Sequence, residues 1–138
     1  MRYLTLKIAE KTYKLKPDQL SMKTVGQLVT DLAEEPKGPL VLSVADVHDW
    51  PEESQRALWG LWRTVEPNRT VKLRLDGVLH ATPLDAVLAQ LVSDANPGRC
   101  GQAVRTAAIA VSSYYGEPEQ AVCHGKILDC LTRLGVRG

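Results

Sequence analysis

The sequence predicts an α/β fold: a mixed, largely parallel four-stranded sheet with a hairpin edge, flanked by helices, with two extra C-terminal helices. Residues 2–16 alternate apolar and polar side chains around a turn, which is typical of a hairpin. Residues 40–45 are nearly all apolar, which is typical of a strand in a sheet covered on both faces. A helical pattern separates this strand from residues 70–75, so a crossover should make the two strands parallel.

The first predicted helix follows the hairpin. Ser21 is a good N-cap, because its hydroxyl can accept a hydrogen bond from a free backbone N–H of the first turn. Val25, Leu28, Val29 and Leu32 then recur at helical spacing and form one apolar face. The segment 36–39 (PKGP) ends this helix before the buried strand begins.

Two strand segments are expected to carry basic residues towards solvent. In the hairpin these residues are Lys7, Lys14 and Lys16. In strand 70–75, Lys72 and Arg74 alternate with apolar residues. The alternation predicts that this strand has one wetter face or lies near an edge of the sheet.

A tryptophan-bearing helix is predicted after strand 40–45. Pro51 suits its first turn, and Glu52 and Glu53 complement the positive end of the helix dipole. Trp59 lies just off the expected core stripe, and Trp50 lies in the turn before the helix. The stripe itself consists of Leu58, Leu61, Trp62 and Val65.

The C-terminal part reads as helical. Thr82 and Pro83 have the cap and first-position chemistry of a helix start, and Asp85 has capping-box spacing. The segment 96–98 (NPG) is a break, and residues 100–115 and 118–134 follow as two helices. We therefore predict an α/β domain over residues 1–96 and a helical extension packed on it over residues 97–138.

Composition excludes several classes of protein. The chain of 138 residues has 24% charged and 44% hydrophobic residues, which is ordinary for a globular domain. Its start lacks the apolar core of a signal peptide, and no apolar run is long enough to span a membrane. The net charge of +1 argues against nucleic-acid binding through overall charge. Three cysteines form an odd set, which favours a cytoplasmic protein with reduced thiols.

Residues 42–58 (LSVADVHDWPEESQRAL) resemble the central motif of STAS domains, the anti-sigma-factor antagonist family. That motif is a buried strand, a turn with an Asp-Ser pair and a helix, and the order of elements over residues 2–92 is also similar. The resemblance implies a regulatory, protein-binding module. Pro51 and Glu52 occupy the position of the Asp-Ser pair, so the phosphorylatable hydroxyl is absent there, and Ser54 lies two residues further on.

The leading functional prediction is a non-enzymatic module that binds a protein partner through the turn and helix around Trp50 and Trp59. No P-loop, zinc-hydrolase or nucleophile-elbow motif occurs, and tryptophan is favoured at interaction hot spots. The competing interpretation of these tryptophans is core filling in a chain that has no Phe. A homo-oligomer is left open. The predicted partner-binding residues are Trp50, Glu52, Glu53, Ser54, Arg56 and Trp59.

The alternative is a small enzyme or a metal- or ligand-binding protein with its site at the strand ends. Ligands favour the carboxyl ends of strands in open α/β sheets, where carboxylates and imidazoles could hold a metal or exchange protons. The simpler interpretation is that these residues cap a helix, form a turn and lie on the surface. The residues concerned are Asp46, His48, Asp49, Asp76 and His80.

The third alternative is nucleic-acid binding by the two C-terminal helices, where Tyr114 and Tyr115 lie near arginines. A zinc site there is not predicted, because the cysteines lack C-x-x-C spacing and Cys123 and His124 diverge on a helix. Cys123 and Cys130 instead share one helical stripe and are expected in the core. No cofactor is predicted.

Overall fold

The computed structural model describes residues 4–8, 11–34, 38–93 and 100–135. The described strands and helices alternate in the middle of the chain, and helices follow without interruption after the last strand. In chain order they are β1 (Leu4–Ile8), β2 (Lys11–Leu15), α1 (Met22–Ala33), β3 (Leu40–Val44), α2 (Glu52–Val65), β4 (Val71–Leu75), β5 (Val78–His80), α3 (Pro83–Ser93), α4 (Cys100–Tyr114) and α5 (Glu119–Arg133).

The described strands form one mixed sheet in the order β2-β1-β3-β4-β5. The mixed α/β class, the hairpin and the parallel β3–β4 pair are confirmed. The largely parallel, four-stranded sheet is wrong, because β1–β2, β1–β3 and β4–β5 are all antiparallel. The extra strand arises at Asp76-Gly77, where two residues with positive φ reverse the chain directly after β4.

One face of the sheet carries the hydrophobic core. The side chains that β3 and β4 bury there are Leu40, Leu42, Val44, Val71, Leu73 and Leu75. On the opposite face, Val41, Ser43 and Lys72 are only half-buried and Arg74 is exposed. The expectation of a sheet covered on both faces is therefore wrong for the described residues. Buried and half-buried positions alternate along β3, and the nearly all-apolar sequence of residues 40–45 does not show this alternation.

The predicted starts of α1 and α3 are confirmed. The Ser21 hydroxyl accepts a hydrogen bond from the Thr24 N–H at 3.4 Å, and the Thr82 hydroxyl accepts one from the Asp85 N–H at 3.2 Å. Each bond satisfies a backbone donor that has no partner inside its own helix. The caps fix where α1 and α3 begin.

Helix α2 is the middle layer of the molecule. It packs against α1 and α4, and its apolar side chains join the core beneath the sheet. Helix α4 in turn contacts α3 and α5. The two predicted C-terminal helices are therefore confirmed, and Ala103, Ala107 and Ala110 of α4 are fully buried. The predicted boundary at residue 96 lies outside the described residues and stays a prediction.

Candidate functional site

The turns after β3 and β4 lie side by side, as expected for neighbouring parallel strands. Val44 is opposite Leu75 in the register, and the Asp46 N–H donates to Asp76 Oδ1 at 3.3 Å. Both aspartates have a positive φ, 54° at Asp46 and 48° at Asp76. The Asp76 carboxylate thus links the two strand-end turns by accepting a hydrogen bond from the Asp46 backbone.

His80 does not join these turns, so the prediction that all five residues meet at one strand end is wrong. Strand β5 runs back along β4 and places His80 opposite Leu73, two residues before the end of β4. Two residues of strand correspond to about 7 Å. His48 and Asp49 lie in a one-turn 3₁₀ helix over residues 47–49. Among the described residues, no group of three or more His, Cys, Asp or Glu could hold a metal ion.

Half of the six predicted partner-binding residues lie inside the protein. Trp50, Ser54 and Trp59 are all buried. The indole N–H of Trp50 donates to the Ala45 carbonyl at 3.2 Å, and the Ser54 hydroxyl donates to the Pro17 carbonyl at 2.6 Å. The expectation that Trp50 or Trp59 is exposed is therefore wrong, and the Ser54 hydroxyl is engaged in holding α2 against the segment before α1.

Trp59 is buried because α2 is enclosed from two sides. Its ring lies 6.3 Å from that of Trp62, and Trp62 in turn meets Tyr114 of α4 edge-on at 5.9 Å. The helical pattern showed one apolar stripe on α2, whereas the packing of α4 against this helix became visible only with the tertiary structure. The stacking of Trp59 on Trp62, which itself contacts α4, accounts for a residue just off the predicted stripe being only 1% exposed.

The remaining three predicted partner residues, Glu52, Glu53 and Arg56, are exposed at the start of α2. The Arg56 guanidinium forms an ion pair with Glu52 at 3.4 Å and donates to the Ser112 hydroxyl of α4 at 3.3 Å. Arg56 thus links two helices. Binding of a partner by these three residues stays a prediction.

The aromatic and sulfur side chains of the C-terminal helices serve the helical packing. The Leu84 N–H donates to the Tyr115 hydroxyl at 3.1 Å, and the Tyr114 hydroxyl donates to a Glu66 carboxylate oxygen. Burial raises the pKa of both tyrosines, most strongly that of Tyr114. Cys123 is buried as predicted, and burial raises the pKa of its thiol.

The structure assembles a different candidate site on the open side of the sheet. One row of register positions crosses all five strands and contains Lys14, Thr5, Ser43, Arg74 and Leu79. A neighbouring row on the same side of the sheet lies two residues away along the strands. It places Lys7 opposite Val41, and Val41 opposite Lys72. We use the term basic face for the described side chains on this surface, which are Lys14, Val41, Ser43, Lys72, Arg74 and Leu79.

The basic face carries positive charge without a compensating acid among its described members. Residues two apart on a strand are separated by about 7 Å, so Lys72 and Arg74 repel each other by roughly 0.6 kcal/mol in water. Lys14 lies three strands from Arg74, at about 14 Å. Such an arrangement costs stability in the free protein. It creates a field that favours a negatively charged partner.

The sequence contained part of this signal. Lysines on the solvent side of the hairpin and the alternation in strand 70–75 both indicated wet basic positions. The sequence did not show the order of the strands. In the sheet, the mostly apolar β3 lies between the hairpin and β4. Only the registers show that these positions share one surface.

Comparison with protein-family models, with curated proteins and with solved structures finds no match to this chain. The resemblance of residues 42–58 to STAS domains therefore stays an expectation. None of the helices in the described part of the chain is both long enough and apolar enough to cross a membrane.

Proposed function

We propose that this chain is a non-enzymatic protein-interaction module that binds an acidic segment of a protein partner on its basic face. The observation that carries this proposal is the row of register positions that places Lys14 and Arg74 on one open surface, with Lys72 beside Arg74. The proposal keeps the class of function expected from the sequence. The binding surface is the sheet and not α2, because Trp50 and Trp59 are buried.

The composition of the basic face favours an acidic protein over nucleic acid. Proteins that hold single strands combine positive charge with aromatic rings on which bases stack. The described positions of this face carry aliphatic and hydroxyl side chains between the cations, namely Val41, Leu79 and Ser43, and none of them is aromatic. Aliphatic contacts beside cations suit a polypeptide that carries both carboxylates and apolar side chains.

The proposal is tested with poly-L-glutamate as the probe, followed by fluorescence anisotropy at low and at moderate salt. The variant reverses two charges of the basic face, Lys72→Glu with Arg74→Glu. The matched control reverses two exposed bases on the helices, Arg105→Glu with Lys126→Glu, so that both proteins have the same net charge.

We expect the variant of the basic face to bind about 30-fold more weakly than the native protein. Each reversal removes an exposed attraction worth about 0.5 kcal/mol and replaces it with a repulsion of similar size, which amounts to about 2 kcal/mol for the pair. The control should retain most of the affinity, and native binding should weaken with salt. Thermal unfolding of both variants checks that their folds are intact.

Two outcomes would overturn the proposal. Equal losses in the two double variants would mean that net charge and not the basic face attracts the probe. Tighter binding of oligodeoxythymidine than of poly-L-glutamate, lost in the Lys72→Glu, Arg74→Glu protein, would assign the face to nucleic acid instead.

A further inference from the structure

The two edges of the sheet differ in how they are protected. Charged side chains on an edge strand discourage pairing with another chain, whereas an exposed apolar edge invites it. The β2 edge carries the exposed Lys14. The β5 edge carries Val78 and Leu79, which are 58% and 46% exposed. The unprotected edge therefore adjoins the basic face at Arg74, which is opposite Leu79.

The backbone of Leu79 points away from the sheet. Asp76 and Gly77 form a two-residue turn with φ values of 48° and 89°, as in a type I′ hairpin. Such a turn closes on a hydrogen-bonded pair, here Leu75 with Val78. Because bonded and non-bonded pairs alternate in an antiparallel ladder, the next pair, Arg74 with Leu79, is not bonded within the hairpin. The N–H and C=O of Leu79 are thus directed to the open edge.

We propose that β5 accepts an extended segment of the acidic partner as a sixth strand of the sheet. This inference rests on the proposed function and deepens it, since it states how the partner is held. Backbone hydrogen bonds to Leu79 provide the pairing, as in other cases where a peptide extends a sheet. The partner needs no helix and no folded domain at this contact.

The two sides of the edge also define the chemistry of the partner. The backbone of an added strand would lie about 10 Å from the backbone of Arg74. An arginine side chain and a glutamate side chain that both project on the open side can together span this distance. Side chains on the other side cover Val78, which is opposite the buried Leu75. The segment should therefore alternate acidic and apolar residues.

The positive charge of the basic face argues against a second copy of this chain as the occupant. Pairing β5 with β5 of another copy would continue one basic face into the other and bring their arginines and lysines together. An acidic segment instead neutralises the face that it extends. A dimer is nevertheless a distinct outcome of the test.

The first test is amide hydrogen exchange on the native protein, with an end-blocked peptide of alternating valine and glutamate as the probe. We expect saturating peptide to slow exchange at the Leu79 amide by at least about tenfold, as a new backbone hydrogen bond does. The Val78 amide, already bonded to β4, should change less. A peptide of alternating valine and lysine is the control and should protect neither amide.

The second test compares Leu79→Pro with Leu79→Thr. Proline removes the outward N–H but no bond to β4, a position where edge strands tolerate it. Threonine keeps the N–H and a high strand propensity. We expect Leu79→Pro to weaken binding of the valine–glutamate peptide at least about tenfold and Leu79→Thr by about threefold or less. Circular dichroism checks the fold, and the exchange measurement does not depend on either variant.

The outcomes separate the two proposals. If the peptide binds and the Leu79 amide exchanges as before, the added strand is refuted and binding on the basic face stands. If neither the peptide nor poly-L-glutamate binds, the proposed function fails as well. If the free protein is a dimer in light scattering and Leu79→Pro makes it a monomer, β5 pairs with a second copy and the inference is wrong.

Discussion

Replacing Trp59 with alanine tests whether this side chain belongs to the core, as in the structure, or to an exposed partner surface, as expected from the sequence. The side chain is 1% exposed and stacks on Trp62, which is itself fully buried. If Trp59 belongs to the core, Trp59→Ala should act on folding. If it belonged to a partner surface, the substitution would act on binding and leave stability almost unchanged.

The expected loss follows from the area that the indole buries. A buried tryptophan removes roughly 200 Å² from water, which at about 25 cal/mol per Å² corresponds to about 5 kcal/mol as an upper bound. The indole N–H of Trp59 has no hydrogen-bond partner among the described residues. That unpaired donor already costs about 1–3 kcal/mol in the native protein, and the substitution removes this cost. The net destabilisation should be about 3 kcal/mol, at the low end for tryptophan-to-alanine changes in cores.

Urea denaturation followed by circular dichroism measures this difference. Arg56→Ala is the control, because Arg56 is exposed on the same helix and its pair with Glu52 is worth at most about 0.5 kcal/mol. Trp59→Phe should cost less than alanine, since it keeps a ring and removes the unpaired N–H. A loss below about 1 kcal/mol in Trp59→Ala would refute the burial argument.

Two further predictions concern the turn before β5 and the tyrosine at the end of α4. Gly77→Ala should destabilise the protein by about 1 kcal/mol or more in urea denaturation, because Gly77 has a φ of 89° that alanine adopts at a cost. The control is Gly60→Ala, in the middle of α2 with open space around it, which should be neutral or stabilising. Equal losses of stability in the two variants would contradict the strain argument. Burial and the Glu66 hydrogen bond raise the pKa of Tyr114, so above pH of about 10 the unfolded chain loses the proton first and the free energy of unfolding should fall as pH rises. Tyr114→Phe should flatten this pH dependence in denaturation curves, and an unchanged slope would show that Tyr114 does not contribute to it.

The local parts of the fold were readable in the sequence. The hairpin, the Ser21 and Thr82 caps and the core stripe of α2 depend on neighbours within a few residues, so periodicity and capping chemistry predict them. The short strand β5 was missed although Asp76-Gly77 is a recognised hairpin turn. Three residues of strand are too few to show an alternation of their own.

The candidate sites were misplaced for one long-range and one local reason. Trp59 was expected at the surface because helix periodicity shows one buried stripe, and Trp50 because it lies in a turn. In the structure α4 packs against both α2 and the 3₁₀ helix over residues 47–49. His80 was expected at the strand ends because the reversal of the chain at β5 was not foreseen. The packing of α4 on α2 joins segments that are distant in the sequence, whereas the β4–β5 pairing is a local hairpin whose second strand is only three residues long.

Periodicity, caps and composition thus suffice for the α/β class, the order of elements apart from β5, and the parallel pairing of β3 with β4, because those follow from local backbone preference and from the crossover rule. The strand order β2-β1-β3-β4-β5 is a property of the folded chain. It brings Lys14 and Arg74 onto one surface, and it leaves the Leu79 backbone at an open edge. Strand register is set by which faces can be buried together, and that choice exists only once the helices and strands have packed.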